Sequence, residues 1–316
     1  MQRKFKKAIL FFIPIAIILY FVIGNIFYYF ALNAESSQSR TIGEKAYVPS
    51  PAIDAKREEL EREKDRVFLD TITPEQLTIT SHDDLTLKGY VFEQNNLNKW
   101  VFSVHGYTGS VRQMTRWNRQ VYELGYNIFA PDLRGHGESE GSFYGMGWLD
   151  QQDLQQWLTV LLEREQDANI TLYGVSMGAS TVLNLAADAP RQVTSVIADS
   201  GFTSVNTIFE TQLRNVFHLP SFPIINAANT VSKIRIGLDF DEASTINKVS
   251  AIRVPILYIH GGIDTFVPVE NVHELAAATN AVHEVWIVEE ANHGEAVKVE
   301  PDLYREKIEQ FIEGHQ

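Results

Sequence analysis

Apolar and polar residues follow three different rhythms along this chain. From Ala8 to Leu32 the run "AILFFIPIAIILYFVIGNIFYYFAL" carries no charge. At about 1.5 Å of rise per residue it can cross a hydrocarbon core of ~30 Å, so it predicts a membrane-spanning helix. Pro14 and Gly24 are tolerable inside such a helix. Residues 35–51, with "ESSQSR" and two prolines, read as a tether. From Ala52 to Leu69 the chain is charge-dense, with Glu and Lys/Arg at helical spacings, which predicts a solvated juxtamembrane helix.

Beyond Pro74 short apolar runs alternate with helical periods. "QLTITS" and "LTLKGYVFE" alternate apolar and polar positions around His82-Asp83-Asp84 and predict an antiparallel hairpin. "WVFSVHG", "YNIFAPD", "NITLYG", "VTSVIADS", "VPILYIHG" and "HEVWIVEE" read as strands, most of them buried. Helical periods lie over "VRQMTRWNRQVYELG", "LDQQDLQQWLTVLLERE", "SMGASTVLNLAADAP", "VENVHELAAATN" and "LYREKIEQFIEG". This alternation predicts an α/β domain over residues 74–316, a mostly parallel sheet flanked by helices. One stretch breaks the rhythm: about residues 202–250 carry no strand signal, far more than a direct connection needs. We expect a small helical cap there.

Charge sharpens the outline. Lys and Arg number 27 against 40 Asp and Glu, a net charge of −13, which argues against nucleic acid as a partner. Arg3, Lys4, Lys6 and Lys7 are the only charges before Glu35. This basic tip predicts a single-pass protein with a cytoplasmic N-terminus, residues 1–34 forming tip and anchor through residues 8–32, and residues 35–73 forming tether and juxtamembrane helix. The catalytic domain then lies outside the cell. Leu32-Asn33-Ala34 loosely resembles a signal-cleavage site, with secretion the alternative, but a signal h-region is only about 7–15 residues. The chain has no cysteine, which excludes disulfides and thiol chemistry.

The candidate chemistry sits where predicted strands end. In an open parallel sheet ligands bind at the carboxyl ends of the strands. Gly174-Val175-Ser176-Met177-Gly178 follows one strand and opens a helix, the strand–turn–helix context of a nucleophile elbow. A serine hydroxyl needs a histidine to take its proton and a carboxylate to orient that histidine. Asp264 in "HGGIDTFVP" and His293 in "EEANHGE" follow later strands and supply both; Asp199, also at a strand end, is an alternative acid. Backbone N–H groups of Tyr107 and Met177 could hold an oxyanion. His105, His136 and His260 read as structural residues. No histidine–carboxylate spacing suggests a metal, and no cofactor is expected.

Taken together, "VHGYTGS", "APDLRGHGES", "GVSMG", "IHGGIDTFVP" and "NHGE" resemble the α/β-hydrolase superfamily over residues 75–315. The chain is similar to its membrane-anchored bacterial serine aminopeptidase-like members. The resemblance implies an α/β-hydrolase fold with Ser176 as nucleophile, Asp264 as acid, His293 as base, and Tyr107 and Met177 as oxyanion donors. Proline iminopeptidases carry H-G-G-P-G at the oxyanion loop, whereas this chain has His105-Gly106-Tyr107-Thr108-Gly109. The expected activity is therefore hydrolysis of a carboxylic ester or thioester through an acyl-enzyme, with a small-molecule acyl substrate. A peptidase would need a cap carboxylate for the substrate amine, with Glu210, Asp239, Asp241 and Glu242 available. An acyltransferase or a catalytically silent surface binding protein are further alternatives. The cap phenylalanines either line an acyl pocket or simply pack on the sheet.

Overall fold

The computed structural model describes residues 2–36, 49–94 and 98–315, with the helical backbone alone for residues 2–11. Of the expected tether, residues 37–48 lie outside the described residues. The expected hairpin forms as β1 (Glu75–Thr80) and β2 (Thr86–Phe92), antiparallel, with Thr80 opposite Thr86. The buried apolar runs become β3 (Lys99–Val104), β4 (Asn127–Pro131), β5 (Asn169–Val175), β6 (Val193–Asp199), β7 (Ile256–Gly261) and β8 (His283–Val288). All eight join one sheet in the order β1-β2-β4-β3-β5-β6-β7-β8, antiparallel as far as β2–β4 and parallel from β4 to β8.

Helices cover both faces, as continuous apolar strands require. The longer ones among the described residues are α1 (Gln2–Ala31), α2 (Ala55–Thr71), α3 (Thr115–Glu123), α4 (Gln151–Arg164), α5 (Met177–Ala186), α6 (Val205–Asn215), α7 (Ile224–Ile236), α8 (Glu270–Ala278) and α9 (Pro301–Glu313). One buried cluster under the sheet includes Trp100, Phe129, Trp157 and Leu183; the opposite cluster includes Tyr173, Ile197, Tyr304 and Phe311. α6 and α7 occupy the strand-free stretch between β6 and β7.

Two N-terminal elements differ from their simple sequence reading. In α2 one face is not solvated. Glu58, Glu61 and Asp65 lie on it and meet Arg116 and Arg119 of α3: Arg116 bonds Glu58 (2.8 Å) and Asp65 (2.6 Å), and Arg119 bonds Asp65 (2.8 Å) and Glu61. The helical charges were partners for a second helix rather than for water. In α1 the division is sharper. Residues 12–19 are exposed all round, but Gly24, Tyr28, Ala31 and Leu32 are buried against the domain. Gly24 allows the approach, since a Cβ there would clash with the carbonyl of Ala227 and lie 2.6 Å from Val231 on α7. Beyond the helix, Tyr144 N–H donates to the Leu32 carbonyl (2.8 Å), and Ala34 N–H to that of Ser142 (3.0 Å). The final turns of α1 are therefore part of the domain's own packing.

Candidate active site

Ser176 stands between β5 and α5 with φ 58° and ψ −121°, a left-handed φ that a side chain rarely adopts. Its neighbours explain how the chain tolerates this turn. A Cβ on Gly174 would strike the carbonyl of Gly178, and one on Gly178 would strike that of Val104. The two glycines thus let three backbone segments converge under the serine. Ser176 N–H donates to the Asp199 carbonyl at the end of β6 (2.7 Å), pinning the elbow to the sheet.

Of the sequence-designated residues, Ser176, His293 and Asp264 come together. His293 Nε2 lies 2.8 Å from Ser176 Oγ, and His293 Nδ1 lies 2.8 Å from Asp264 Oδ2. The other Asp264 oxygen accepts the backbone N–H groups of Phe266 (2.9 Å) and Val267 (2.8 Å). These bonds fix the carboxylate, which accepts the Nδ1 proton and leaves Nε2 free to receive the hydroxyl proton. Burial disfavours charged His293, but the Asp264 carboxylate, with Asp199 and Glu295 adding to it, raises the imidazole pKa above its ordinary value. The arrangement can move a proton from Ser176 to His293 while Asp264 stabilises the resulting imidazolium.

Asp199 does not reach this histidine by a hydrogen bond. Its carboxylate accepts the hydroxyls of Tyr304 (2.8 Å) and Ser200 (2.9 Å). Burial pushes its pKa up to about 6, against the pull of those bonds. His105 is buried, with Nδ1 on the Gly106 carbonyl (2.8 Å) and Nε2 accepting Leu133 N–H (3.0 Å). His136 Nε2 accepts Thr108 N–H (3.2 Å), so both histidines hold the 105–109 loop in place. Within that loop Gly106 lies beside the serine: a Cβ on it would sit 3.1 Å from Ser176 Cβ. Tyr107 follows directly, and Met177 is the first residue of α5, at the positive end of the helix dipole. His260 is buried, with Nε2 2.8 Å from the Val267 carbonyl. His82, Asp83 and Asp153 are close enough to share an ion, but Arg134 already binds Asp153 (2.7 Å) and Asp83 (2.9 Å).

Two features escaped the sequence reading. Asn292 Oδ1 accepts both His293 N–H (2.8 Å) and Thr265 N–H (2.9 Å), tying the base loop to the acid loop. Its position beside the histidine was the only available signal. The second is the part that α1 plays in the cavity over Ser176, which holds about 360 Å³, within the usual ~300–1,000 Å³ of ligand sites. Besides Phe202, Phe209 and Phe266 it is lined by Ile26, Phe27 and Phe30 of α1. None of Glu210, Asp239, Asp241 and Glu242 lines it; Asp239 pairs instead with Lys233 of α7.

Known proteins resemble this arrangement. A family model described as serine aminopeptidase, S33, matches residues 95–232. The uncharacterized protein YqkD of Bacillus subtilis is 27% identical over 229 residues, covering 72% of this chain and 75% of its own. Among solved structures, the esterase Pf2001 of Pyrococcus furiosus superposes with a TM-score of 0.63 at 24% identity, covering 78% of this chain and 92% of the esterase. The acylaminoacyl peptidase of Pyrococcus horikoshii gives a TM-score of 0.56 at 18% identity over 79% of this chain and 43% of the peptidase. Solved hydrolases of both ester and peptide type thus superpose on this chain, which has the α/β-hydrolase fold and is similar to serine hydrolases.

Proposed function

We propose that the protein hydrolyses a carboxylic ester or thioester of an apolar acyl group through an acyl-enzyme on Ser176. The observation that carries this reading is the continuous relay Ser176–His293–Asp264, with 2.8 Å at both links, at the floor of an apolar cavity. Ser176 Oγ attacks the carbonyl carbon as its proton passes to His293 Nε2. The negative oxygen that forms is held by the N–H groups of Tyr107 and Met177. The bond to the leaving oxygen or sulfur then breaks, and His293 protonates the departing group. Water attacks the acyl-enzyme, gives a proton to His293, and the acid leaves as that proton returns to Ser176.

The matched family's description favours a peptidase acting at a free amino terminus. Against that reading, no carboxylate lines the cavity among the described residues to pair with a substrate ammonium, whose burial without a counter-charge is costly. The apolar walls instead favour a hydrocarbon acyl chain. We further propose that α1 anchors the protein. Its segment Phe12–Ala31 has a mean hydropathy of 2.0 and the length to cross a membrane, and the basic tip favours a cytoplasmic N-terminus.

The test compares p-nitrophenyl esters with aminoacyl p-nitroanilides on the full-length protein, with a fluorophosphonate probe for Ser176. Ester turnover together with labelling supports the reading. Faster cleavage of the anilides turns the assignment to a peptidase, and a protein that does not label refutes the acyl-enzyme.

A further inference from the structure

The α1 helix does two things that a simple anchor does not. Its last turns form one wall of the cavity over Ser176, through Ile23, Ile26, Phe27 and Phe30. Its final residue also holds the proposed oxyanion loop, because Tyr107 Oη donates to the Ala31 carbonyl at 2.7 Å. Phe27 stacks edge-on against Phe209 of α6 with centroids 5.0 Å apart, so this wall is continuous with the helices above the sheet.

Length then decides where the cavity opens. The charged tip ends at Lys7, and one face of the helix is docked on the domain from Tyr20 onward, where its hydroxyl meets Thr230 of α7 (2.9 Å). The thirteen steps from Lys7 to Tyr20 rise only about 20 Å at ~1.5 Å each, short of a ~30 Å hydrocarbon core. A spanning stretch of about 20 residues starting after Lys7 reaches Phe27. The docked part of α1, with α7 beside it, must therefore share the outer hydrocarbon and headgroup region.

The surface at that level suits this position. Phe222 is 75% and Ile234 70% exposed. Arg235 on α7 bonds Asn25 of α1 (2.6 Å) and lies over the Tyr28 ring at 5.0 Å, an aromatic–cationic pairing at home among headgroups. The residues that both line the cavity and remain well exposed are Ile26, Phe30, Phe217 and Leu219, which together form its mouth. An apolar mouth of this kind open to water would be an unfavourable patch; facing lipid it is matched to its solvent.

We propose that α1 is a substrate-binding element as well as an anchor, and that the substrate is a long-chain acyl ester dissolved in the bilayer, whose chain enters over Ile26 and Phe30. This inference rests on the ester-hydrolase reading. It excludes a separable anchor, since cutting the chain after residue 34 would remove a cavity wall and the Tyr107 tether together.

The experiment uses the full-length protein in phosphatidylcholine vesicles, with fluorophosphonate labelling of Ser176 measured first. Kinetics of p-nitrophenyl palmitate and p-nitrophenyl butyrate then give the ratio of kcat/KM for the long ester over the short one. For the wild type this ratio exceeds ten, and palmitate ester in the same vesicles is cleaved at least tenfold faster than when delivered on albumin. Ile26→Trp, which fills the mouth, and Phe30→Asn, which makes it polar, each lower the ratio at least tenfold; if one fails to label, the other decides. A ratio unchanged in the labelled variants, or equal rates from vesicle and albumin, overturns the inference and leaves the hydrolase intact. A wild type that labels with nothing removes the hydrolase reading itself.

Discussion

The two sides of the cavity are built on opposite principles. Beneath the substrate, Ser176, His293 and Asp264 are held by directed hydrogen bonds at the ends of three parallel strands, each link near 2.8 Å. Above it, α1, α6 and α7 meet through aromatic rings and a glycine, with few directed bonds facing the cavity. Directed bonds select one geometry and fail when an atom is exchanged; apolar packing sets a volume and fails by degrees. In the proposed reaction the lower side governs whether chemistry happens, and the upper side governs what is admitted. Substitutions on the two sides should separate along that line.

The largest effect is expected beneath the substrate. Ser176→Ala removes the proposed nucleophile and should lower kcat on esters by roughly 10⁴–10⁶ while thermal unfolding stays near that of wild type. A loss under tenfold would mean that another group attacks. Asp264→Asn ranks next. The amide oxygen stays on the Phe266 and Val267 N–H groups, so its NH2 faces Nδ1 and donates to it, and His293 turns to the tautomer whose Nε2 carries hydrogen and cannot take one from Ser176. A fall of roughly 10³–10⁴ in kcat/KM is expected, with the elbow undisturbed. If kcat/KM holds, the carboxylate does not orient the base, and the pairing at 2.8 Å is incidental.

How much of this was legible in the sequence follows the same division. Gly174, Ser176 and Gly178 are diagnostic because only glycine fits where the carbonyls of Gly178 and Val104 crowd the turn. Strand ends bring Asp264 and His293 beside Ser176, so their places after later strands were enough to nominate them. Asn292 was invisible because its bonds join two loops distant in sequence. The contribution of α1 was hidden for a different reason: a helix apolar on every side has no polar face to reveal which side is packed. Gly24, the close-contact residue, looked like an ordinary tolerated glycine. For α2, the acidic face of Glu58, Glu61 and Asp65 could equally have faced water; only the matching spacing of Arg116 and Arg119 on α3 decides it.

The upper side answers to size. Gly24→Val places branched carbons against the Ala227 carbonyl and Val231, so α1 must withdraw from α7. We expect overpacking to cost about 1–3 kcal/mol, read as a lower unfolding temperature in detergent. Ester kinetics should change gradedly, without the collapse expected of Ser176→Ala. Unchanged stability would show that α1 does not dock in solution as it does here.

The smallest effect again lies beneath the substrate, where a charge that makes no hydrogen bond to His293 acts on its proton. Only neutral imidazole can accept the Ser176 proton, so activity falls as pH drops through the His293 pKa. Asp264 raises that pKa, which puts the midpoint of the acid limb above the ordinary ~6.5 of histidine in a kcat/KM profile. Buried Asp199 contributes in the same direction, since its negative charge favours the imidazolium. Its own pKa is pushed up to about 6, so it is largely ionised where the limb lies. Asp199→Asn deletes that charge and should move the midpoint to lower pH by less than about one unit, while the plateau rate remains within a few-fold. A midpoint below ~6.5 in the wild type would contradict the Asp264 pairing. A limb unmoved by Asp199→Asn would mean that the buried carboxylate at the end of β6 holds the Tyr304 and Ser200 hydroxyls without influencing the base.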